Sequence, residues 1–594
     1  MKIRVAEYIA EYLYEKGIRD VFTVVGGGAM YLNNAFGQSK KLRTTYTHHE
    51  QAAAIAAEGY AKASGKIATV CVTTGPGGTN ALTGVLCAYQ DNVPMLVISG
   101  QVRYATTVES TGLDLRQMGE QEYHIVQSVK PMTKYAVMVK NPLEIKRQLD
   151  KALYIAYDGR RGPCWLDIPL DVQGAFIETE DLLDVEEYAE PHYEINKDLF
   201  IETLKQAKKP VILAGTAVRG TGNVDLFKDF AKRVNVPVLA ATTVADLFEV
   251  SHENYFGNFG SFGGRAGNFI VQNADLIIAI GCRMTFKHTG FDSASFAPNA
   301  KKIVVDIDEN ELKKNVINID LPIKSDIKFF LNQMMDLDFR FENDNWLNYC
   351  RLLKKKFPQY RQEFEKPGKV NPYYLRKEIS KFISDDNITI VGNSVACVSV
   401  LQMGVEKNGQ RMYGNINCGT MGYDLPAAEG AARAMNQEVL CITGDGSIQM
   451  NIQELQTIKH NNLPVKIFIF NNFGYQAIMQ TQTNFFQANF SGCTKESGIS
   501  MPSFEKLAYA YDFPFVRISS NEEVDEKLKE VFSHEGYVLC EVMQDTEQNI
   551  EPKVKSKQRA DGKLYSTPLD DLFPFLPEEE YEKCQYKEDV KYEF

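Results

Sequence analysis

The sequence predicts an α/β protein built from three doubly wound parallel-sheet domains. Three observations carry that prediction. The chain has 594 residues, too many for one hydrophobic core and a natural length for three domains of ordinary size. Short apolar runs ending in glycine-rich loops alternate with amphipathic segments along most of it, the pattern of strands joined by helices. One stretch displays the unit in full. The apolar run Val439 to Thr443 ends in Gly444-Asp445-Gly446-Ser447, an amphipathic segment from roughly Gln449 to Asn462 follows, and Pro464 opens a second apolar run, Val465 to Phe470, that ends in Asn471-Asn472. Such a crossover lays its two strands parallel and right-handed. Asp445 and Asn472 are therefore expected at one carboxyl edge of a sheet, where open α/β sheets bind ligands.

Composition narrows the class. Hydrophobic residues at 44% and charged residues at 24% are ordinary for a globular protein. No apolar run reaches the roughly 18–20 residues that a bilayer span needs, and none has the form of a signal-peptide core, so no membrane role and a cytoplasmic location are expected. A net charge of −12 without a basic cluster argues against nucleic acid as a partner. Eleven cysteines occur without a Cys-x-x-Cys pair, and several stand in apolar runs; they read as reduced core residues.

In chain order, the first domain is expected over residues 1–180. Its opening, MKIRVAEYIAEYLYEKGI, reads as an amphipathic helix with Val5, Tyr8, Ile9, Tyr12 and Leu13 on one face. Asp20 to Val25 reads as a strand that ends in Gly26-Gly27-Gly28, where backbone can approach a ligand. Glu50 then precedes a small-residue helix. On local grounds it is either a capping glutamate near a helix N-terminus or a carboxyl at the edge of an apolar site, where desolvation favours its neutral form. Cys71 to Thr74 reads as a strand leading into the glycine-rich loop Gly75 to Asn80, and Pro94 to Gly100 as another.

A second domain over 190–340 shows strands at Pro210 to Gly215, Val236 to Ala241, NADLIIAIGCRM and KKIVVDIDENEL. Residues 341–370 read as a charged helical linker, 371–550 as the third domain and 551–594 as a charged tail. In the third domain, Gly444 and Gly446 let the backbone come close to a ligand. The amides of Gly446 and Ser447 open a helix whose positive end attracts phosphate. Asp445 and the side-chain oxygen of Asn472 are hard ligands suited to magnesium.

Taken together, Asp445 and Asn472, with 26 residues between them, resemble the diphosphate–magnesium motif of thiamine-diphosphate (ThDP) enzymes. Glu50 within HHEQAAAIAAEGYAKASG, followed by TTGPGGTNALTGVLCAYQDNVPMLVISGQV, resembles the pyrimidine-binding domain of the acetolactate synthase group, and the likeness runs to about residue 545. The resemblance implies pyrimidine-binding, central Rossmann-like and diphosphate-binding domains. It implies a carboligase that decarboxylates a 2-oxo acid, pyruvate foremost, and transfers the acyl carbanion to a carbonyl acceptor. The alternatives are a nucleotide-linked keto sugar as acceptor, or simple decarboxylation.

The same resemblance assigns roles. Glu50 is the glutamate at the aminopyrimidine N1′, and Gln121 joins it at the catalytic centre. Gly26, Gly27, Gly28, Thr74, Gly75 and Asn80 contact the cofactor from the first domain. Gly419, Met421, Gly444, Asp445, Gly446, Ser447, Asn472 and Tyr475 contact it from the third, Met421 being the wedge between its rings. Asp445, Asn472 and the Gly474 carbonyl hold Mg2+. In the central domain Gly281, Arg283 and Asp306 fall on flavin-contacting positions and imply FAD, although Lys287 stands where the group commonly has an arginine. A homodimer or homotetramer with active sites at the subunit interface is implied. Three departures touch the substrate side. Glu120 replaces a phenylalanine, Ala477 and Thr481 replace a methionine and a tryptophan of the acceptor pocket, and Leu170 replaces a lysine. A wider, more polar acceptor pocket is the physical consequence.

Overall fold

The computed structural model of the chain describes residues 1–189, 191–558, 562 and 564–594. Glu190 at the expected domain boundary, and Arg559, Ala560, Asp561 and Lys563 of the expected tail, lie outside the described residues.

Three six-stranded parallel sheets form the molecule. The first holds β1 (Asp20–Thr23), β2 (Arg43–Tyr46), β3 (Thr69–Val72), β4 (Met95–Gln101), β5 (Tyr135–Met138) and β6 (Pro163–Pro169) in the order β2-β1-β3-β4-β6-β5. The second holds β7 (Pro210–Ala214), β8 (Val238–Ala241), β9 (Tyr255–Phe259), β10 (Leu276–Ile280), β11 (Lys301–Asp306) and β12 (Leu321–Lys324) in the order β9-β8-β7-β10-β11-β12. The third holds β13 (Ile388–Val391), β14 (Arg411–Tyr413), β15 (Val439–Gly444), β16 (Val465–Asn471), β17 (Phe515–Ile518) and β18 (Val538–Met543) in the order β14-β13-β15-β16-β18-β17. The outer two sheets thus share one topology, and the middle one has the order of a dinucleotide-binding fold. The expected α/β class with three doubly wound sheets is what the chain adopts.

The central strands are buried throughout and mostly apolar because helices cover both faces; every residue of β3, β4, β6, β7, β10, β15 and β16 is buried. Val439 to Gly444 pairs in register with Val465 to Phe470, so the Asp445 and Asn472 loops leave adjacent strands side by side.

Six of the helices position the site or join the domains: α1 (Glu50–Ser64), α2 (Pro76–Gln90), α3 (Asp344–Lys356), α4 (Asp424–Met435), α5 (Glu454–His460) and α6 (Gln476–Phe486). The first and third domains meet along α1 and α4. Small residues make that possible: a Cβ on Gly59 would overlap the Ala427 backbone, and one on Gly430 would overlap Ala56. The run of alanines in α1 is therefore an interdomain seam.

Two local expectations need correction. The chain opens with a short strand, Lys2–Arg4, paired antiparallel with Phe176–Glu178, and its helix starts only at Val5. The helix expected from Gln449 to Asn462 is a 3-10 turn, Ile448–Asn451, followed by the shorter α5. The first turn is pinned by tertiary bonds: Ser447 Oγ accepts the Gly422 amide, and Asn451 donates to the Gly422 carbonyl. The linker helix is α3, and the tail packs on the central domain, where Leu569 and Cys584 join the core. Arg265 donates to the carbonyls of Leu572 and Pro574. All cysteines are free, and all but Cys418 are buried.

Candidate active site

Asp445 stands immediately after β15 and is 2% exposed. Its Oδ1 accepts the Gly446 amide at 2.8 Å, and its Oδ2 accepts the amides of Asn472 and Gly474 at 3.1 Å each. Burial nevertheless lifts its carboxyl to about 6, the amides only partly offsetting the desolvation. Asn472, after β16, donates its Nδ2 to Gln544 Oε1 at 3.2 Å, and Gln544 donates in turn to Gln476 at 2.5 Å. Its Oδ1 is buried and has no hydrogen-bond partner among the described residues. A buried carboxylate raised by desolvation beside an orphaned carboxamide oxygen is a donor set that a hard cation would satisfy. No group of three or more His, Cys, Asp or Glu side chains that could hold a metal occurs among the described residues, so such a cation would complete its shell from carbonyls, waters or a ligand.

Gly446 sits under two side chains. A Cβ there would overlap the Tyr475 ring and touch the Met421 methyl. Gly444, Asp445, Gly446, Met421, Asn472, Gly474 and Tyr475 are thus gathered at one edge. Ser447 is beside them, but its hydroxyl is engaged by Gly422 and Asp424. Gly419 adopts φ +66° and lies at the surface of the same loop.

The first-domain candidates form a second cluster. Glu50 begins α1 and is 9% exposed. Its Oε2 accepts from Asn80 Nδ2 of α2 at 3.0 Å, and Gly77 lies against its other oxygen. Thr74 donates to Gln101 at 2.6 Å, and Gln101 donates to Asp167 at 3.1 Å. Gly26 and Gly28 pack on Thr73 and Thr74, whereas Gly27 has open space beside it. Gly75, at φ +61°, lies against the Gln121 carbonyl. Gln121 itself is exposed, also at positive φ, while its neighbour Glu122 accepts the amides of Met118 and Gly119 and so shapes the loop. Glu120 is exposed.

In the central domain, Gly281, Arg283 and Asp306 line one open crevice with Gly215, Thr216 and Thr243. It opens where the strand order reverses between β7 and β10. Arg160 and Arg161 of the first domain line it too, and no sequence pattern singled them out. Lys287 bridges to the Ile416 carbonyl of the third domain at 2.6 Å. Ala477 and Thr481 are exposed on α6, the Thr481 hydroxyl bonding back to the Ala477 carbonyl.

Comparison with known proteins matches all three sheets. The model of the thiamine pyrophosphate enzyme N-terminal TPP-binding domain matches residues 3–127, that of the central domain residues 198–334, and that of the C-terminal TPP-binding domain residues 391–542. The chain belongs to the thiamine pyrophosphate enzyme family. It is 30% identical to the acetolactate synthase large subunit of Lactococcus lactis, over 94% of this chain and 95% of that one. It is 31% identical to the isozyme 3 large subunit of Escherichia coli, over 92% and 96%. With the mitochondrial acetolactate synthase catalytic subunit of Saccharomyces cerevisiae it shares 31% identity, over 97% and 84%. This family member is accordingly an enzyme, dependent on thiamine diphosphate and acetolactate synthase-like. No helix among its described residues is long and apolar enough to cross a membrane.

Proposed function

We propose that this enzyme is a Mg2+-dependent carboligase that decarboxylates pyruvate and transfers the two-carbon acyl unit to a carbonyl acceptor, working in the cytoplasm. The observation that carries the reading is the buried Asp445–Asn472 pair with its orphaned Asn472 oxygen. Asp445, Asn472 Oδ1 and the Gly474 carbonyl would hold the metal, and the close-approach backbone at Gly446 would lie along the diphosphate. When bound, thiamine diphosphate supplies a carbon nucleophile and an electron sink. Glu50, oriented by Asn80, would hold the proton at the aminopyrimidine N1′, and Met421 would set the angle between the rings. Gln121, on the loop against Gly75, would meet the 2-oxo acid.

The central crevice suits FAD. Its glycine edges allow backbone approach, and Arg161, which bonds the Gly220 carbonyl and has no salt-bridge partner among the described residues, offers a guanidinium for phosphate. We place the assembly at a homodimer or larger, with Glu50 of one protomer facing Asp445 of its partner.

The exposed Ala477 and Thr481 favour a second acceptor reading, a nucleotide-linked keto sugar, because the large apolar side chains expected of the acceptor pocket are missing. Incubation with pyruvate, ThDP and Mg2+, with acetolactate and the flavin spectrum read together, tests the proposal. Acetolactate formation supports pyruvate as acceptor, and pyruvate consumption only on addition of the keto sugar supports the second reading. Inertness in both arms overturns the carboligase reading.

A further inference from the structure

Two glutamates outside the cofactor site are buried together at the seam between the first and third domains. Glu429, in the middle of α4, is fully buried, and neither carboxyl oxygen has a hydrogen-bond partner among the described residues. Glu454, the first residue of α5, is fully buried as well. Its two oxygens lie 3.1 and 3.3 Å from the backbone amide of His48, and the Thr457 hydroxyl donates to it at 2.6 Å. The His48 ring nitrogen Nδ1 lies 3.0 Å from Thr457 Oγ1. His48 is two residues ahead of Glu50, so a helix of the third domain grips the turn from which α1 presents Glu50.

The charged surroundings are sparse. From the turn come His48 and His49. From α4 comes Arg433, whose guanidinium is taken by Thr45 and Asn461. Behind it stand Arg43 and Asp20, which pair with each other across β1 and β2. Among the described residues neither glutamate has an ion-pair partner within salt-bridge distance. Two full negative charges in this space would be poorly compensated.

We propose that the Glu429–Glu454 pair holds one proton and one negative charge, the charge on Glu454, and that Glu454 is thereby a positioning residue for Glu50. The inference rests on the reading of Glu50 as the catalytic carboxyl. Burial pushes both carboxyls up, Glu454 to about 7, and their mutual repulsion raises Glu429 further. Both are raised above the unfolded value, so their stabilisation is complete at low pH and is lost as pH rises through the folded values. Loss of the second proton, from Glu429, puts a second charge beside Glu454 and loosens its hold on the His48 amide.

The test compares the full-length protein with Glu429→Gln and Glu454→Gln by thermal melting from pH 6 to 9 without cofactor, and by the pH profile of kcat with it. A neutral amide at 429 should flatten the alkaline decline of the melting temperature and move the alkaline limb of kcat to higher pH. Glu454→Gln should lower kcat about tenfold or more, because a misplaced catalytic group is costly in rate, while ThDP still binds. A Glu429→Gln melting curve that parallels the parent's at every pH would overturn the shared proton. Normal kcat in Glu454→Gln, with the melting difference intact, would overturn the positioning of Glu50 and leave the carboxyl pair standing.

Discussion

Asn472 gives its backbone amide to Asp445 Oδ2 and keeps its own carboxamide oxygen buried and unpartnered. The orientation of that oxygen is fixed from behind, since Gln544 takes the Nδ2 hydrogen and is itself bonded to Gln476. Outer partners of this kind commonly change metal affinity 10–100-fold. Gln544→Leu is therefore expected to weaken Mg2+ binding about tenfold or more, and Asn472→Ala by at least as much. Calorimetric titration of Mg2+ in the presence of ThDP measures both. Unaltered affinity in Asn472→Ala would remove this residue from the metal shell.

Glu50 offers a cleaner separation of binding from chemistry. Its carboxyl is held by Asn80, and Gln at this position preserves the shape and the acceptor oxygen while removing the acid. Proton-transfer groups typically contribute 10²–10⁴-fold. Glu50→Gln should lose about that much turnover with pyruvate while binding ThDP and Mg2+ through the Asp445 edge. Steady-state turnover beside a cofactor titration reads the two effects independently, and retained turnover would sink the assigned role.

Gly446 tests the cradle. An alanine methyl at 446 would overlap the Tyr475 ring, and overpacking of this sort costs about 1–3 kcal/mol. Gly446→Ala should lower thermal stability by that order and weaken ThDP binding. Truncating the ring should restore part of it, so Gly446→Ala/Tyr475→Ala is expected to be more stable than the sum of the single variants. Simple additivity in denaturant melts would show that the ring moves aside freely.

Much of this architecture was legible because the strands are continuous apolar runs, and because Gly444 to Ser447 and Asn472 lie within one strand–helix–strand unit. The repeated order of the outer sheets was not, since periodicity marks strands without saying which are neighbours. Gln544 lies 72 residues from the Asn472 it orients, and Glu454 lies 406 from the His48 amide it accepts. A lone glutamine or glutamate carries no local signal of such a partner. The overlong helix at Gln449 has the same origin: bonds to Gly422, well upstream, tighten its first turn.

Asp167 supplies a pH dependence from within the first-domain sheet. It is fully buried in β6, accepts from Ser99 at 2.6 Å and from Gln101 at 3.1 Å, and through Gln101 it braces Thr74. Burial raises its carboxyl to about 7 from 3.8, against the lowering effect of those hydrogen bonds. The folded protein therefore binds this proton more tightly than the unfolded chain between those values. Its stabilising contribution is complete below about pH 4, declines as pH rises and is gone above about 7. The displacement from 3.8 to about 7 corresponds to about 4 kcal/mol across that window. Asp167→Asn cannot ionise, so relative to the parent it should be markedly more stable at pH 8 than at pH 5. Denaturant unfolding of both proteins at the two pH values measures the difference, and a stability gap independent of pH would show that Asp167 stays ionised in the fold.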